Sequence, residues 1–332
     1  MKKICILLPT YGREQCVAYF LEQVSNDCRN YEIDIYICDS SEKDINKRLV
    51  KKYNNEGFKN VFYLRGHDSS EYKNSMVAKN IYGYPSPDYK VYMAQCELAM
   101  KYDYIWLCGD NCVLNLDQLM EDVRKYTAQD VDIIHFSNGS EMSFGEDKQY
   151  TDAREFYLND AWHMTAFGAS IVSSRVIRFI SKEDILDKYI NSGFLYVMSV
   201  YEYCAKNAFT AVHCHRRFHR NNPYRKLSGW IASGDALGVF GQNWVEVNFR
   251  LSNLYEDLKK SVIKSFSIHT GLFGYKKCFW LRAYGNISIK KIVEYRKYIP
   301  LVTDTNILWF YIIACCPKLF VKWIWESFVL KE

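Results

Sequence analysis

The chain has 332 residues, of which 49% are hydrophobic, 24% charged and 16% aromatic, including 27 tyrosines; this excludes a disordered or low-complexity chain and leaves a large globular domain with a full core plus an appendage. The net charge of +5 is unevenly divided, with 20 Lys+Arg against 9 Asp+Glu in residues 201–332 and 23 against 29 in residues 1–200. The carboxyl third is therefore built to face something anionic: lipid head groups, phosphates or nucleic acid.

Twelve cysteines form no regular framework and follow no secretory signal, which predicts reduced thiols in a cytoplasmic chain. The spacings of Cys108 with Cys112 and of Cys315 with Cys316 are not zinc signatures. Residues 3–9 are an apolar run of strand length ending at Pro9, followed by the turn Thr10-Tyr11-Gly12-Arg13 and a helical pattern to about Cys28. Tyr31–Cys38 alternates and is β-branched, so it reads as a second strand. Its end, Asp39-Ser40-Ser41, can line a ligand crevice and cap the next helix over 42–55. Asn60–Leu64 is a third strand, and this alternation implies right-handed parallel crossovers. Residues 67–88 are polar and rich in turn formers, and 89–101 are helical.

Tyr104–Leu107 is a short buried strand. Gly109 breaks it, and Asp110 and Asn111 offer oxygen ligands just past its carboxyl end, where open α/β sheets hold their ligands. Oxygen ligands suit a hard divalent cation, and such a cation suits a diphosphate; the plainer alternative is a solvated Gly-Asp-Asn turn. A helix over 116–127 and a strand over 132–136 follow. Residues 137–160 show weak periodicity and read as a functional loop, and Ala161–Val172 reads as a strand around Gly168. Phe194–Asn207 is a helix and Phe209–His213 a strand. The segment Arg216–Lys226 has five basic residues and no acid, which suits phosphate oxygens. Helix dominates from Leu227 onward. The last stretch, Ile307–Leu330, is apolar and aromatic, but its uninterrupted run to Cys316 is too short to cross a bilayer. It reads as an interfacial helix on a membrane or as a core helix.

Four pieces of this pattern resemble the inverting, family-2-type glycosyltransferases with the glycosyltransferase A fold. They are Ile6-Leu-Leu-Pro-Thr-Tyr-Gly-Arg13, Ile35-Tyr-Ile-Cys-Asp-Ser40, Tyr104–Asn111 as the strand leading into that family's Asp-x-Asp motif, and Ala161–Tyr224 as its acceptor half. The resemblance covers about residues 3–225. It implies an α/β fold with a Rossmann-like, mostly parallel sheet flanked by helices, a catalytic domain over 1–226 and a helical region over 227–332.

The implied activity is transfer of a sugar, with inversion, from a nucleotide-sugar donor (a UDP-sugar) to a saccharide acceptor, lipid-linked or protein-linked, in surface polysaccharide or glycan assembly. Pro9, Thr10, Tyr11, Arg13, Asp39, Lys90 and Asp110 are the expected donor-site residues. Asp110, Asn111 and His215 are the expected ligands of Mg²⁺ or Mn²⁺, a Lewis acid for the departing diphosphate. Gly109 and Cys112 stand where that family commonly has acids. The acceptor-side helix has Tyr196 and Val197 where the general base is expected, so Asp160 and Glu202 are the candidate bases. A nucleotide or sugar binder without catalysis is the alternative. Nucleic acid is not expected as a partner, because the basic residues are diluted over several helices. The location implied is the inner face of the cell membrane, and a homodimer stays open.

Overall fold

The structure, a computed structural model, describes residues 2–67, 87–137, 146–224, 234–325 and 327. The first half alternates strand and helix: β1 (Ile4–Thr10), α1 (Glu14–Asn30), β2 (Asp34–Asp39), α2 (Ile45–Asn55), β3 (Val61–Arg65), α3 (Pro87–Leu98), β4 (Tyr104–Leu107), β5 (Cys112–Leu114), α4 (Leu116–Ala128) and β6 (Ile133–Ser137). Then come β7 (Lys148–Tyr150), α5 (Ala153–Asp160), β8 (Ser170–Ser173), α6 (Ser174–Ile180), α7 (Ile185–Tyr189), α8 (Leu195–Lys206), β9 (Ala211–Arg217) and β10 (His219–Asn221). A π-helical turn, Leu237–Asn243, leads into α9 (Trp244–Arg250), followed by α10 (Lys259–Thr270), α11 (Tyr275–Ala283), α12 (Ile289–Tyr295), α13 (Ile299–Val302), α14 (Ile307–Cys315) and α15 (Lys318–Ile324).

Among the described residues, eight strands form one sheet in the order β3-β2-β1-β4-β8-β6-β9-β7, and β5 with β10 forms a separate two-stranded ribbon. Pairings β3-β2, β2-β1, β1-β4 and β6-β9 are parallel, whereas β8 and β7 run against their neighbours. β1 is buried at all seven positions, as expected for a central parallel strand covered on both faces. Its side chains alternate between two cores. Cys5 and Leu7 join the core that holds α3 and α8; Ile4, Ile6 and Leu8 join the core under α1 and α4. The α1 contribution comes from Val17, Phe20, Leu21, Val24 and Cys28, one helical face at three- and four-residue spacing. From β1 the chain winds outward to β3, then crosses back through α3 to β4 on the other side of β1. That reversal is a topological switch point, and the carboxyl ends of β1 and β4 border the crevice such sheets use for ligands.

Three expectations change. Residues 161–172 are not one strand: a 3₁₀ turn over His163–Thr165 precedes a short antiparallel strand. Gly168, at φ +105° with Phe218 where a Cβ would stand, makes the bend between them. The stretch 137–160, read as a loop, holds β7 and α5 in its described part, and α5 is capped by the Asp152 side chain, which accepts from the Arg154 and Glu155 amides; residues 138–145 lie outside the described residues. In its described part the terminal apolar stretch is two helices, parted at Pro317, which lacks the amide to continue α14.

The core around α3 and α8 continues without a break into the carboxyl-terminal helices, through Trp244, Phe266, Phe273, Phe310 and Ile313. Full burial of each such side chain contributes about 2–3 kcal/mol. The expected boundary at 226/227 falls in 225–233, outside the described residues.

Candidate functional site

Thr10 is the last residue of β1, and Asp110 lies three residues past the end of β4. Leu7 pairs with Leu107, so both chains leave the sheet together into the crevice. There the Thr10 hydroxyl donates to Asp110 Oδ2 at 2.8 Å, and an Arg13 guanidinium nitrogen donates to Asp110 Oδ1 at 2.9 Å. Asp110 is 6% exposed, and a half-buried ion pair of this kind is screened less than a surface one.

Lys90, on α3, enters from the other face of the sheet. Its ammonium donates to the Thr10 carbonyl at 2.7 Å and to the Ser40 hydroxyl at 3.0 Å. Burial pushes it below its ordinary pKa, while nearby acidic groups, Asp110 and Asp39 among them, pull the other way. Asp39 is fully buried at the end of β2. It accepts from the Ser41 amide at 2.9 Å, the Ser41 hydroxyl at 2.5 Å and the Asn46 side chain at 3.1 Å. Ser41 in turn accepts from the Gly12 amide at 2.7 Å. The first two βα turns are thus tied to each other and to α3. Pro9 is buried within β1 and contributes backbone only, paired with Cys38. Tyr11 is 43% exposed at the rim, the position from which a ring can stack on a base.

The loop around Asp110 is fixed from a second side. β5 pairs with β10, and this ribbon delivers Asn222 beneath it. The fully buried Asn222 donates its amide side chain to the carbonyls of Cys16 at 2.9 Å and Asp110 at 3.2 Å, and its backbone N–H to the Asn111 carbonyl at 3.1 Å. Asn111 Oδ1 lies 2.8 Å from where a Cβ on Gly109 would stand, so only glycine leaves that amide room to fold back. Asn222 is a site residue that the sequence reading did not single out; its signal was the Asn-Asn-Pro turn inside the basic segment.

The remaining expected residues lie elsewhere. Asp160 is not on a flexible loop: it ends α5, fully buried, with Oδ1 2.5 Å from His213 Nδ1. Glu202 is buried in α8, where it accepts from Lys188 at 2.5 Å and from the Tyr189 hydroxyl at 2.6 Å. It thereby fastens α7 to α8. His215 is on β9, and both its ring Nδ1 and its amide meet Asp147 Oδ1, at 2.7 and 3.1 Å; no described contact joins it to Asp110. In the basic segment, Arg216 pairs with Asp122 and Glu121 on α4, and Arg220 donates to Gln23 at 2.6 Å. Arg225 and Lys226 lie outside the described residues.

The oxygen donors Asp110 and Asn111 fit a hard cation that takes its remaining ligands from water or phosphate, since one carboxylate is a common protein share for Mg²⁺. Arg13 already occupies one side of that carboxylate.

No family model matches the chain, and no curated protein matches it. Solved structures do. Crystal structures of S. aureus TarS superpose with a TM-score of 0.54 at 13% identity, over 97% of this chain and 55% of that one. TarS 1-349 in complex with UDP gives 0.53 at 12% identity, over 98% and 91%. TarS 1-349 in complex with UDP-GlcNAc gives 0.51 at 12%, over 98% and 92%. The order of strands, the crevice between β1 and β4 and the helical carboxyl-terminal region together make this the mixed α/β fold of the glycosyltransferase A structures.

Proposed function

We propose that the chain is a glycosyltransferase that binds a UDP-sugar in the β1/β4 crevice and passes the sugar, with inversion, to a hydroxyl of a saccharide acceptor. The supporting observation is the clasp itself: one carboxylate, Asp110, at the switch point of the sheet, held by Thr10 and Arg13 and felt by Lys90. A hydroxyl and a guanidinium meeting one acid at the carboxyl end of β4, with an ammonium nearby, is an arrangement suited to a diphosphate and a counterion. Structures with the same fold hold UDP and UDP-GlcNAc.

In this reading Tyr11 flanks the uracil ring, Asp39 faces the nucleoside from β2, and Arg13 and Lys90 neutralise the diphosphate. Asp110 and Asn111 would hold Mg²⁺ or Mn²⁺, which when bound supplies Lewis-acid stabilisation of the leaving group. Arg13 turns from Asp110 to the diphosphate when donor arrives. No base is assigned in this reading: Glu202 is held by Lys188 and Tyr189, and Asp160 Oδ1 meets His213 in the core. The acceptor class proposed is a lipid-linked or protein-linked saccharide of a surface polysaccharide or glycan.

The test is release of UDP from UDP-sugars in the presence of Mn²⁺, with binding followed by calorimetry. Wild type is expected to bind UDP and to turn over. Asp110→Ala should lower turnover by roughly 100-fold or more, the order seen when an electrostatic partner of a transition state is removed. Equal turnover in wild type and Asp110→Ala would sink the reading. UDP binding with no turnover on any saccharide would favour a binder that has lost catalysis.

A further inference from the structure

A second constellation lies on the α3/α8 side of the sheet and shares no residue with the crevice. His135 on β6 and His213 on β9 are register partners on adjacent parallel strands. Both rings are fully buried, as is Asp160 at the end of α5, and His163 in the following 3₁₀ turn is 2% exposed. Four groups of this chemistry in a dry core are costly unless each is satisfied. His213 Nδ1 meets Asp160 Oδ1 at 2.5 Å, and His135 Nδ1 shares a 2.9 Å hydrogen bond with the Ser170 hydroxyl. His135 Nε2, with no exposed surface, has no protein partner.

Ligand atoms of His135, Asp160 and His213 all lie within 4.8 Å of one another. The three imidazole centroids are 5.0 Å (His135–His213), 5.1 Å (His163–His213) and 5.6 Å (His135–His163) apart, with their planes 65–81° from each other. Two imidazoles on one tetrahedral ion show nearly this spacing. A metal–nitrogen bond of about 2.1 Å plus roughly 1.1 Å to the ring centre, opened to a tetrahedral angle, gives about 5.2 Å.

The geometry points to a transition-metal site held by His135, His213 and Asp160, with the His163 ring beside it. Nitrogen-rich donors suit zinc or a neighbouring late first-row ion and disfavour Mg²⁺ or Ca²⁺, so this ion differs in kind from one held by Asp110. A neutral imidazole is the form that ligates. Ser170 already fixes one nitrogen of His135, the outer-shell arrangement that orients a ligating ring. The metal's role would be structural. It joins β6, β9 and α5, and Trp162, beside His163, stacks on His269 of α10 at 4.3 Å and 9°. That couples the pinned sheet to the carboxyl-terminal helices. The chemistry is invisible to a spacing search, because the ligands are scattered over the chain rather than paired as in a zinc finger.

The experiment is metal analysis of the full-length protein, untagged and passed over a chelating resin, alongside protein from cobalt-supplemented growth. The site predicts about one equivalent of tightly held transition metal per chain, and visible d–d absorption from the cobalt form. Asp110→Asn should retain both signals. His135→Leu should reduce the content to below about one tenth. Should that variant fail to fold, wild-type content and the cobalt spectrum decide. Absence of stoichiometric metal together with a silent cobalt spectrum overturns the inference, and so does equal metal loss in Asp110→Asn.

Discussion

Asp110 is a single carboxylate with a hydroxyl on one oxygen and a guanidinium on the other, so the backbone that aims it matters as much as the acid. That backbone is held by Asn222 from below and leaves space at Gly109 for Asn111. A methyl group at residue 109 would stand 2.8 Å from Asn111 Oδ1 and 3.3 Å from the Phe167 Cβ. Gly109→Ala is therefore expected to swing Asn111 outward. It should lower stability by only about 1–2 kcal/mol but UDP-sugar turnover by more than about tenfold, since misplacement of about 1 Å is expensive in an oriented site. A melting curve and a UDP-release assay on the same variant separate the two effects, and unchanged turnover would show that Asn111 is idle. Thr10, Arg13 and Asp110 were legible in the sequence because strand ends and turn residues mark a crevice locally. Asn222 and Asn46 were not: each gains its role from a partner brought close by folding, more than a hundred residues away for Asn222 and across a turn for Asn46.

Among elements, α3 links the crevice to the start of α8. Lys90 reaches the crevice, and two residues earlier Asp88 receives the Gly193 amide at 2.8 Å, just before α8. A carboxylate there complements unsatisfied amides and the positive end of the helix dipole. Burial nevertheless outweighs those hydrogen bonds and raises Asp88 to about 6. The folded state therefore holds this proton more tightly than the unfolded chain does. Its stabilising contribution is complete below about pH 4 and is lost as pH rises through about 6, by up to about 3 kcal/mol. Asp88→Asn, which cannot titrate, should gain on wild type over that interval and keep a constant difference above it. Chemical denaturation from pH 4 to 8 measures this, and parallel curves would remove the assignment. The helix α3 itself was legible, but its joint with α8 was not, because an aspartate in a first helical turn looks like ordinary capping. β8 was misread for a related reason: its apolar run continued backward through Trp162 and Met164, and only the bend at Gly168 separates them.

At the scale of the whole molecule, the carboxyl-terminal helices take the core-helix alternative on one face, and a membrane role for the other is a proposal. Phe310 and Ile313 are buried in the main core and Val321 on α15 is fully buried, so α14 and α15 are packed elements. Their outer face keeps Leu308, Ile312, Leu319, Phe320 and Trp323 at 51–81% exposure, with Lys318, Lys322, Lys276 and Lys277 exposed on α15 and α11 around them. Among the described residues no helix is long and apolar enough to cross a membrane. We propose that this face, with exposed aromatics and lysines, is an interfacial surface drawn to anionic lipid, which would suit a lipid-linked acceptor. Full-length protein should cosediment with vesicles containing phosphatidylserine, more weakly with phosphatidylcholine alone and more weakly again at high salt. The double variant Leu319→Ser, Trp323→Ser removes apolar contacts from exposed positions. It should weaken vesicle binding by at least about tenfold, because two such side chains inserted in the interface are worth a few kcal/mol. Its melting temperature should stay near that of wild type, because neither side chain fills the core. Equal sedimentation of variant and wild type, or no sedimentation of wild type with either lipid, would assign this face to something other than a membrane.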